Sequence, residues 1–262
     1  MTPWRRRSVL ASLAVAPLAW AQEDHTGGDP LGSMQYPSLR EQTIGKASAT
    51  FSDAVVVKGP AFADDAMNVP LLVDARGLSG VGGGVARIRV SVDRNPVRQV
   101  LDFEPLRALP MLAFRIRMEQ ASPVRAFVQT KDGQWHVGST WVQAAGGGCT
   151  VPGITRADGS WSKTLGQVQA RFFNNLIEGS RRLRLRVMHP MDTGLVAGIP
   201  AFYIEQMELQ DPGGQAWWRI ALHEPVSENP LITFELPPQS PPAFRLVGRD
   251  NNGNRIDAEV VA

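Results

Sequence analysis

The chain has 262 residues, enough for one large or two ordinary domains, and a formal net charge of +2 at pH 7. Three of the positive charges, Arg5, Arg6 and Arg7, lie in the first ten residues, and removing them lowers the formal charge by three, to −1. A remainder so close to neutral gives no support to nucleic-acid binding or to adhesion to an acidic membrane. Trp4-Arg5-Arg6-Arg7-Ser8 leads into an apolar run over 9–18 and then Ala19-Trp20-Ala21, a small-x-small cleavage site. This predicts a signal peptide over residues 1–21 and a mature chain beginning near Gln22. The run is shorter than the roughly 20 residues that span a bilayer, so no stable membrane insertion is expected. Arg6-Arg7-Ser8-Val9-Leu10 also approximates a twin-arginine export signal. By either route the expected location is the periplasm.

A short helix is predicted over 39–45. Beyond it, alternating or β-branched runs occur at 54–57, 69–74, 86–92, 114–118, 124–129 and 135–142. They are separated by Gly59-Pro60, Gly82-Gly83-Gly84, Asn95-Pro96, Ser122-Pro123 and Asp132-Gly133. The spacing predicts an all-β sandwich with a hairpin at Lys131-Asp132-Gly133. Gly82-Gly83-Gly84 lacks the following helix of a phosphate loop and reads as a plain loop.

The tract 144–162 then breaks the periodicity and is the best domain boundary in the chain. It contains Cys149, the one cysteine of the sequence, directly after Gly146-Gly147-Gly148 and shortly before Pro152-Gly153. Consecutive glycines add backbone entropy and no packing side chains, so the sequence predicts a thiol exposed on a flexible tether. The competing readings are a buried structural cysteine and a linker in which the thiol is incidental. In an oxidising compartment a lone thiol has no intrachain partner, and a disulfide-linked dimer is expected on oxidation.

After the boundary, strand runs resume at 181–188, 201–209, 216–222, 231–235, 243–248 and 256–261, predicting a second sandwich. Arg182, Arg184 and Arg186 alternate with Leu183, Leu185 and Val187, so one face is solvated and the other buried. Of the neighbouring Trp217 and Trp218, one ring is expected in the core and one at an interface. His189 lies beside Met188 and near Met191. A copper site is one reading, and a core methionine with a His-Pro turn is the favoured one. His25, His136 and His223 lack ligand spacing, and no metal site or cofactor is predicted. A Cys149–His189 nucleophile pair is the enzyme alternative, disfavoured because a catalytic nucleophile needs a rigid site. Asp192 is expected to cap backbone N–H groups in its turn.

These residues carry a resemblance over nearly the whole mature chain. The first half resembles SoxY in Asn68-Val69-Pro70, Asn95-Pro96, Phe103, Arg115-Ile116-Arg117, Asp132-Gly133, Trp135 and Gly147-Gly148-Cys149. The second half resembles SoxZ in His189-Pro190-Met191-Asp192-Thr193-Gly194, Ile199 to Ile204, Ser227-Glu228-Asn229-Pro230 with Phe234, and Asp250-Asn251-Asn252-Gly253. The resemblance implies two Ig-like β-sandwiches joined by a Gly-rich linker. It places a SoxY-like domain at 22–148, a Cys-bearing linker at 149–162 and a SoxZ-like domain at 163–262. It further implies a non-enzymatic carrier that holds sulfur-compound intermediates covalently on Cys149, with Gly146, Gly147 and Gly148 supplying arm flexibility. The implied partners are sulfur-oxidising enzymes of the periplasm or a quinoprotein dehydrogenase system, since the fused form resembles the type associated with quinoprotein dehydrogenases. The rival reading is a non-covalent accessory module for such a dehydrogenase. Two departures stand out. Thr150, Val151 and Pro152 follow the cysteine where the family's arm ends in glycines, and the segment after the His-Pro-Met block is shortened to Leu195-Val196-Ala197-Gly198.

Overall fold

The computed structural model describes residues 25–175 and 179–261, and the predicted signal peptide lies outside the described residues. The amino-terminal half holds α1 (Tyr36–Ile44) and nine strands. These are β1 (Ala49–Phe51), β2 (Val56–Lys58), β3 (Phe62–Ala63), β4 (Val69–Asp74), β5 (Val85–Val92), β6 (Gln99–Glu104), β7 (Met111–Ile116), β8 (Ser122–Thr130) and β9 (Trp135–Ala144). Two single-turn helices, α2 (Ile154–Ala157) and α3 (Trp161–Thr164), lie between the halves. The carboxy-terminal half follows with β10 (Val168–Asn175), β11 (Ser180–Val187), β12 (Ile204–Gln210), β13 (Ala216–Leu222), β14 (Leu231–Leu236), β15 (Ala243–Asp250) and β16 (Arg255–Val261).

The fold is all-β, and each half contributes strands to both layers. One layer is a ten-stranded sheet in the order β1-β9-β8-β5-β6-β13-β12-β15-β16, with β3 also beside β9. The other is a six-stranded sheet in the order β10-β11-β14-β7-β4-β2. Both sheets cross the boundary between the halves. β6 pairs antiparallel with β13, placing Phe103 opposite Ile220 and Glu104 opposite Arg219. β14 pairs antiparallel with β7, placing Thr233 opposite Ala113. Backbone hydrogen bonds therefore weld the two sandwiches side by side, and the apolar inner faces close over one shared core. At the seam Phe234 stacks on Trp218 with ring centroids 4.2 Å apart and meets Phe103 at 5.6 Å.

The alternation read in the sequence is realised on β11. Leu183, Leu185 and Val187 are buried, whereas Arg184 and Arg186 are exposed. The pattern missed β1, β3, β6 and β10. Trp217 and Trp218 are both buried, Trp217 edge-on to Phe244 and Trp218 at the seam between the halves. The register of β13 against β12 jumps from Trp218 to Ala216, and this bulge removes the alternation that would have turned one ring outward.

The segment before α1 is fixed by a buried charge cluster. Arg125 on β8 donates to Asp29 at 2.6 and 2.8 Å and to Asp93 at 2.8 and 2.9 Å, and all three side chains are fully buried. Tyr36 covers the guanidinium at 4.7 Å and stacks on Phe127. Burial alone would raise the carboxyl pKa of Asp29, but the Arg125 hydrogen bonds hold it below the usual carboxylate value.

Candidate functional site

β7, β11 and β14 converge at one end of the six-stranded sheet. β7 and β11 finish there, at Ile116 and Val187, while β14 starts there at Leu231. The residues just outside these strand ends are Arg117 to Glu119, His189 to Thr193 and Ser227 to Asn229, so both halves contribute. Ser227 closes the seam, its N–H donating to the Arg115 carbonyl at 3.1 Å and its hydroxyl to the Met67 carbonyl at 2.6 Å. Asn95 fixes the turn after β7. Its amide donates to the Arg117 carbonyl at 2.8 Å and accepts from the Glu119 N–H at 2.9 Å.

The cysteine tract crosses this junction, and it is docked. Gly147 donates to the Glu119 carbonyl at 2.9 Å and Gly148 to the Met118 carbonyl at 3.0 Å. The Cys149 N–H donates to the Glu119 carboxylate at 3.1 Å, and the Thr150 hydroxyl reaches the same group at 3.2 Å. From the other half, the Thr193 hydroxyl donates to the Cys149 carbonyl at 2.7 Å. The glycines serve shape rather than looseness. Gly146 and Gly147 have φ of +97° and +76°, and a Cβ on Gly148 would lie 2.1 Å from the Ala66 carbonyl oxygen. The expected flexible tether is therefore corrected: the triglycine lets the chain press against neighbouring backbone.

The expected exposed thiol is corrected too, because Cys149 is 1% exposed. Burial pushes its pKa up to about 12, the Glu119 carboxylate adds to the shift, and Arg117 opposes it. Arg117 is itself buried, with its fork 3.3 to 3.5 Å from the carbonyls of Gly148, Val151 and Pro190. Its Nε has no hydrogen-bond partner among the described residues. Burial lowers the Arg117 pKa, against the pull of Glu228 and Cys149.

Further along, Glu228 accepts from the N–H and hydroxyl of Thr155, at 3.2 and 2.9 Å. Asp192 accepts from Arg156 Nε at 2.8 Å, and Arg156 lies over the Trp161 ring at 4.4 Å. The capping role expected of Asp192 thus gives way to an ion pair across the tract, helped by the buried position of its carboxylate. Yet the segment contributes almost nothing to the core: from Thr150 to Gly166 only Gly153 is buried, and Ile154 is 70% exposed.

The other sequence candidates fall outside this arrangement. Nδ1 of His189 accepts the Met191 N–H at 3.0 Å, and Nε2 faces Asp250 at 3.5 Å, so both ring nitrogens are directed away from a thiol-activating role. Burial takes the His189 pKa down to about 4. The Met191 sulfur accepts the Ile204 N–H. His136 lies on β9 and His223 just after β13. Sequence reasoning missed Glu119, Thr193, Glu228 and Arg156. Thr193 and Glu228 stand inside the SoxZ-like motifs, a usable signal, whereas nothing local marked Glu119 or Arg156.

A two-sandwich protein with a cysteine segment docked across the seam is the class defined by fold and site. Comparison with known families places it further. The family model described as "Sulfur oxidation protein SoxY" matches residues 40–149, ending on Cys149, and that described as "Sulphur oxidation protein SoxZ" matches 175–261. The chain belongs to these sulfur-oxidation families as a fused SoxY–SoxZ protein. Among solved structures it is similar to the sulfur carrier protein SoxY from Chlorobium limicola f thiosulfatophilum. That match has 21% identity and a TM-score of 0.37, and covers 42% of this chain and 96% of that one. A second similarity is to "Putative membrane anchored protein from Corynebacterium diphtheriae", at 10% identity and a TM-score of 0.26, covering 80% of this chain and 57% of that one. A search of curated proteins gives no match. No described helix is long and apolar enough to cross a membrane.

Proposed function

We propose that the protein carries sulfur-compound intermediates as covalent adducts on Cys149 and that the docked tract is the resting state of the carrier arm. The two family domains support a sulfur-oxidation carrier role, non-enzymatic in kind. The observation that carries the finer reading is the contrast within 146–166. The cysteine is buried at the seam, whereas the rest of its segment is exposed and held by a few polar contacts. A thiol with a pKa of about 12 is ~10⁻⁵ thiolate at pH 7, against a few per cent for an ordinary cysteine. The docked state therefore protects the thiol, and loading requires release of the arm, a local opening typical of segments with few buried apolar contacts.

In the undocked arm the thiolate is a nucleophile for sulfur. Reaction with tetrathionate joins the Cys149 sulfur to an inner sulfur of tetrathionate, breaks the central S–S bond, expels thiosulfate and leaves an S-thiosulfonate, with tetrathionate itself as the oxidant. Direct loading from thiosulfate releases two electrons and one proton, so an electron-accepting partner belongs to that route. The basic, apolar leader with its Ala19-Trp20-Ala21 site supports export to the periplasm, where sulfur-oxidising enzymes or a quinoprotein dehydrogenase system would handle the adduct.

The burial of the thiol also favours a second reading, an accessory module for a periplasmic quinoprotein dehydrogenase in which Cys149 is structural. Incubation of the folded protein with tetrathionate separates the two. The carrier reading requires a mono-adduct on Cys149, absent from Cys149→Ser, without unfolding. Modification confined to denatured protein overturns it.

A further inference from the structure

The two outer faces of the molecule differ in charge. On the ten-stranded sheet most arginines are matched by acids: Arg87 with Asp102 and Glu104, Arg219 with Glu208, Arg245 with Asp257 and Arg249 with Glu205, Arg255 being the exception among the described residues. On the six-stranded sheet Arg182 has Glu235, but the rest of the outward-facing arginines are unmatched. Arg115, Arg171, Arg184 and Arg186 are exposed and have no carboxylate partner among the described residues.

Strand register shows how they lie. Arg171 on β10 stands directly opposite Arg184 on β11, and Arg184 opposite Thr233 on β14. One row along, Gln169 faces Arg186, which faces Leu231. Farther across, Arg115 on β7 faces Pro70 on β4, and Ala113 faces Leu72. The middle of the face is thus an apolar floor of Leu231, Ala113, Leu72 and Pro70, none of them buried. Guanidinium groups rim it from both halves. Phe173 is 37% exposed at the edge strand, with Arg171 and Arg184 at 5.9 and 5.4 Å from its ring.

Folding does not explain this arrangement. Like charges directly opposite on neighbouring strands destabilise a sheet, and no acid offsets the Arg171–Arg184 pair. Arginine and an accessible aromatic ring around an apolar centre are the composition of a protein-binding surface. The same face leads to the cysteine. Arg115 is two residues before Arg117, and β10 begins directly after the docked tract.

We infer that the outer face of the six-stranded sheet docks a protein partner presenting an acidic rim around an apolar patch, and so holds that partner beside the end of the sheet where Cys149 is stowed. The second clause rests on the carrier reading, but the binding surface does not. The probe is a short fluorescein-labelled peptide of glutamates interspersed with tryptophan, titrated by fluorescence anisotropy into full-length protein. Two charge-matched variants are compared, R171E/R184E/R186E on this face and R219E/R245E/R249E on the other. Binding weakened at least about tenfold by the first and unchanged by the second is expected, with further weakening in salt. Equal loss in both variants, or no saturable binding, overturns the inference. So does preferential capture by phosphatidylglycerol vesicles. The Cys149→Ser protein should bind the peptide as the wild type does, so a failed carrier reading leaves this result intact and a failed docking face leaves thiol chemistry intact.

Discussion

Loosening the clasp on Cys149 should expose its chemistry without unfolding the protein. Glu119 accepts the Cys149 N–H and the Thr150 hydroxyl, and Thr193 donates to the Cys149 carbonyl. Losing the part-buried Cys149 N–H bond to the charged acceptor costs about 2 kcal/mol and the neutral Thr193 bond about 1 kcal/mol, the exposed Thr150 bond adding little. The double variant Glu119→Ala/Thr193→Val should therefore shift the docked–undocked balance by about 3 kcal/mol, or roughly 100-fold. With a pKa of about 12 the docked thiol is ~10⁻⁴ thiolate even at pH 8, so iodoacetamide reacts through the undocked state. The alkylation rate should rise with the undocked population, by roughly 100-fold, while the melting temperature moves little. A rate unchanged in the variant would show that the whole fold, rather than this clasp, locks the thiol. A wild-type rate equal to that of free cysteine would contradict the docked geometry itself.

Other consequences follow from the same contacts. Air oxidation should leave the wild type monomeric on non-reducing gels and give disulfide-linked dimers in the Glu119→Ala/Thr193→Val variant, reversing the expectation drawn from an exposed thiol; wild-type dimers forming readily would refute this. Acidification should destabilise the protein in two stages, read by urea titration at each pH. His189 is held near a pKa of about 4 against about 6.5 unfolded, so the unfolded chain alone gains its proton as pH falls from 6.5 to 4, removing about 3 kcal/mol. Stability should drop again below that range as Asp29 protonates out of its lowered pKa; a flat profile from pH 7 to 4 would contradict the first stage, and no further loss below pH 4 would contradict the second. Arg125→Met leaves the carboxylates of Asp29 and Asp93 buried without their cation and should cost about 3–5 kcal/mol; a loss under about 1 kcal/mol would show the cluster to be hydrated. Limited proteolysis should cut the exposed stretch 154–163 first, and the fragments should coelute on size exclusion because β6–β13 and β7–β14 cross the seam; separate peaks would argue against a shared core.

The strands of strongest alternation were legible in the sequence, and so was the pairing of two sandwiches. One of the strands that weld them, β6, was not. Gln99–Glu104 carries Asp102 and Glu104 beside Phe103 and follows Asn95-Pro96, so its local signal is that of a polar turn. Its strand character comes from the Arg87 and Arg89 partners on β5 and from the edge of β13, which no local window contains. Residues 168–175 were hidden because they form an edge strand in which Gln169, Ala170, Arg171 and Phe173 are all exposed, so no buried face alternates with a solvated one. At the site, Cys149 announced itself by being unique. The triglycine misled, because glycine marks equally a loose chain and a chain pressed against backbone. Only the Ala66 and Met118 carbonyls beside Gly148 decide between them.

Intact mass of the protein, purified under non-reducing conditions from its native host supplied with a reduced sulfur compound, tests the carrier account most directly. The account predicts a fraction carrying one sulfur-containing adduct that maps to Cys149, is removed by reductant and is missing from Cys149→Ser. Unmodified Cys149 throughout, together with unimpaired sulfur-compound oxidation by a host carrying Cys149→Ser, would contradict it.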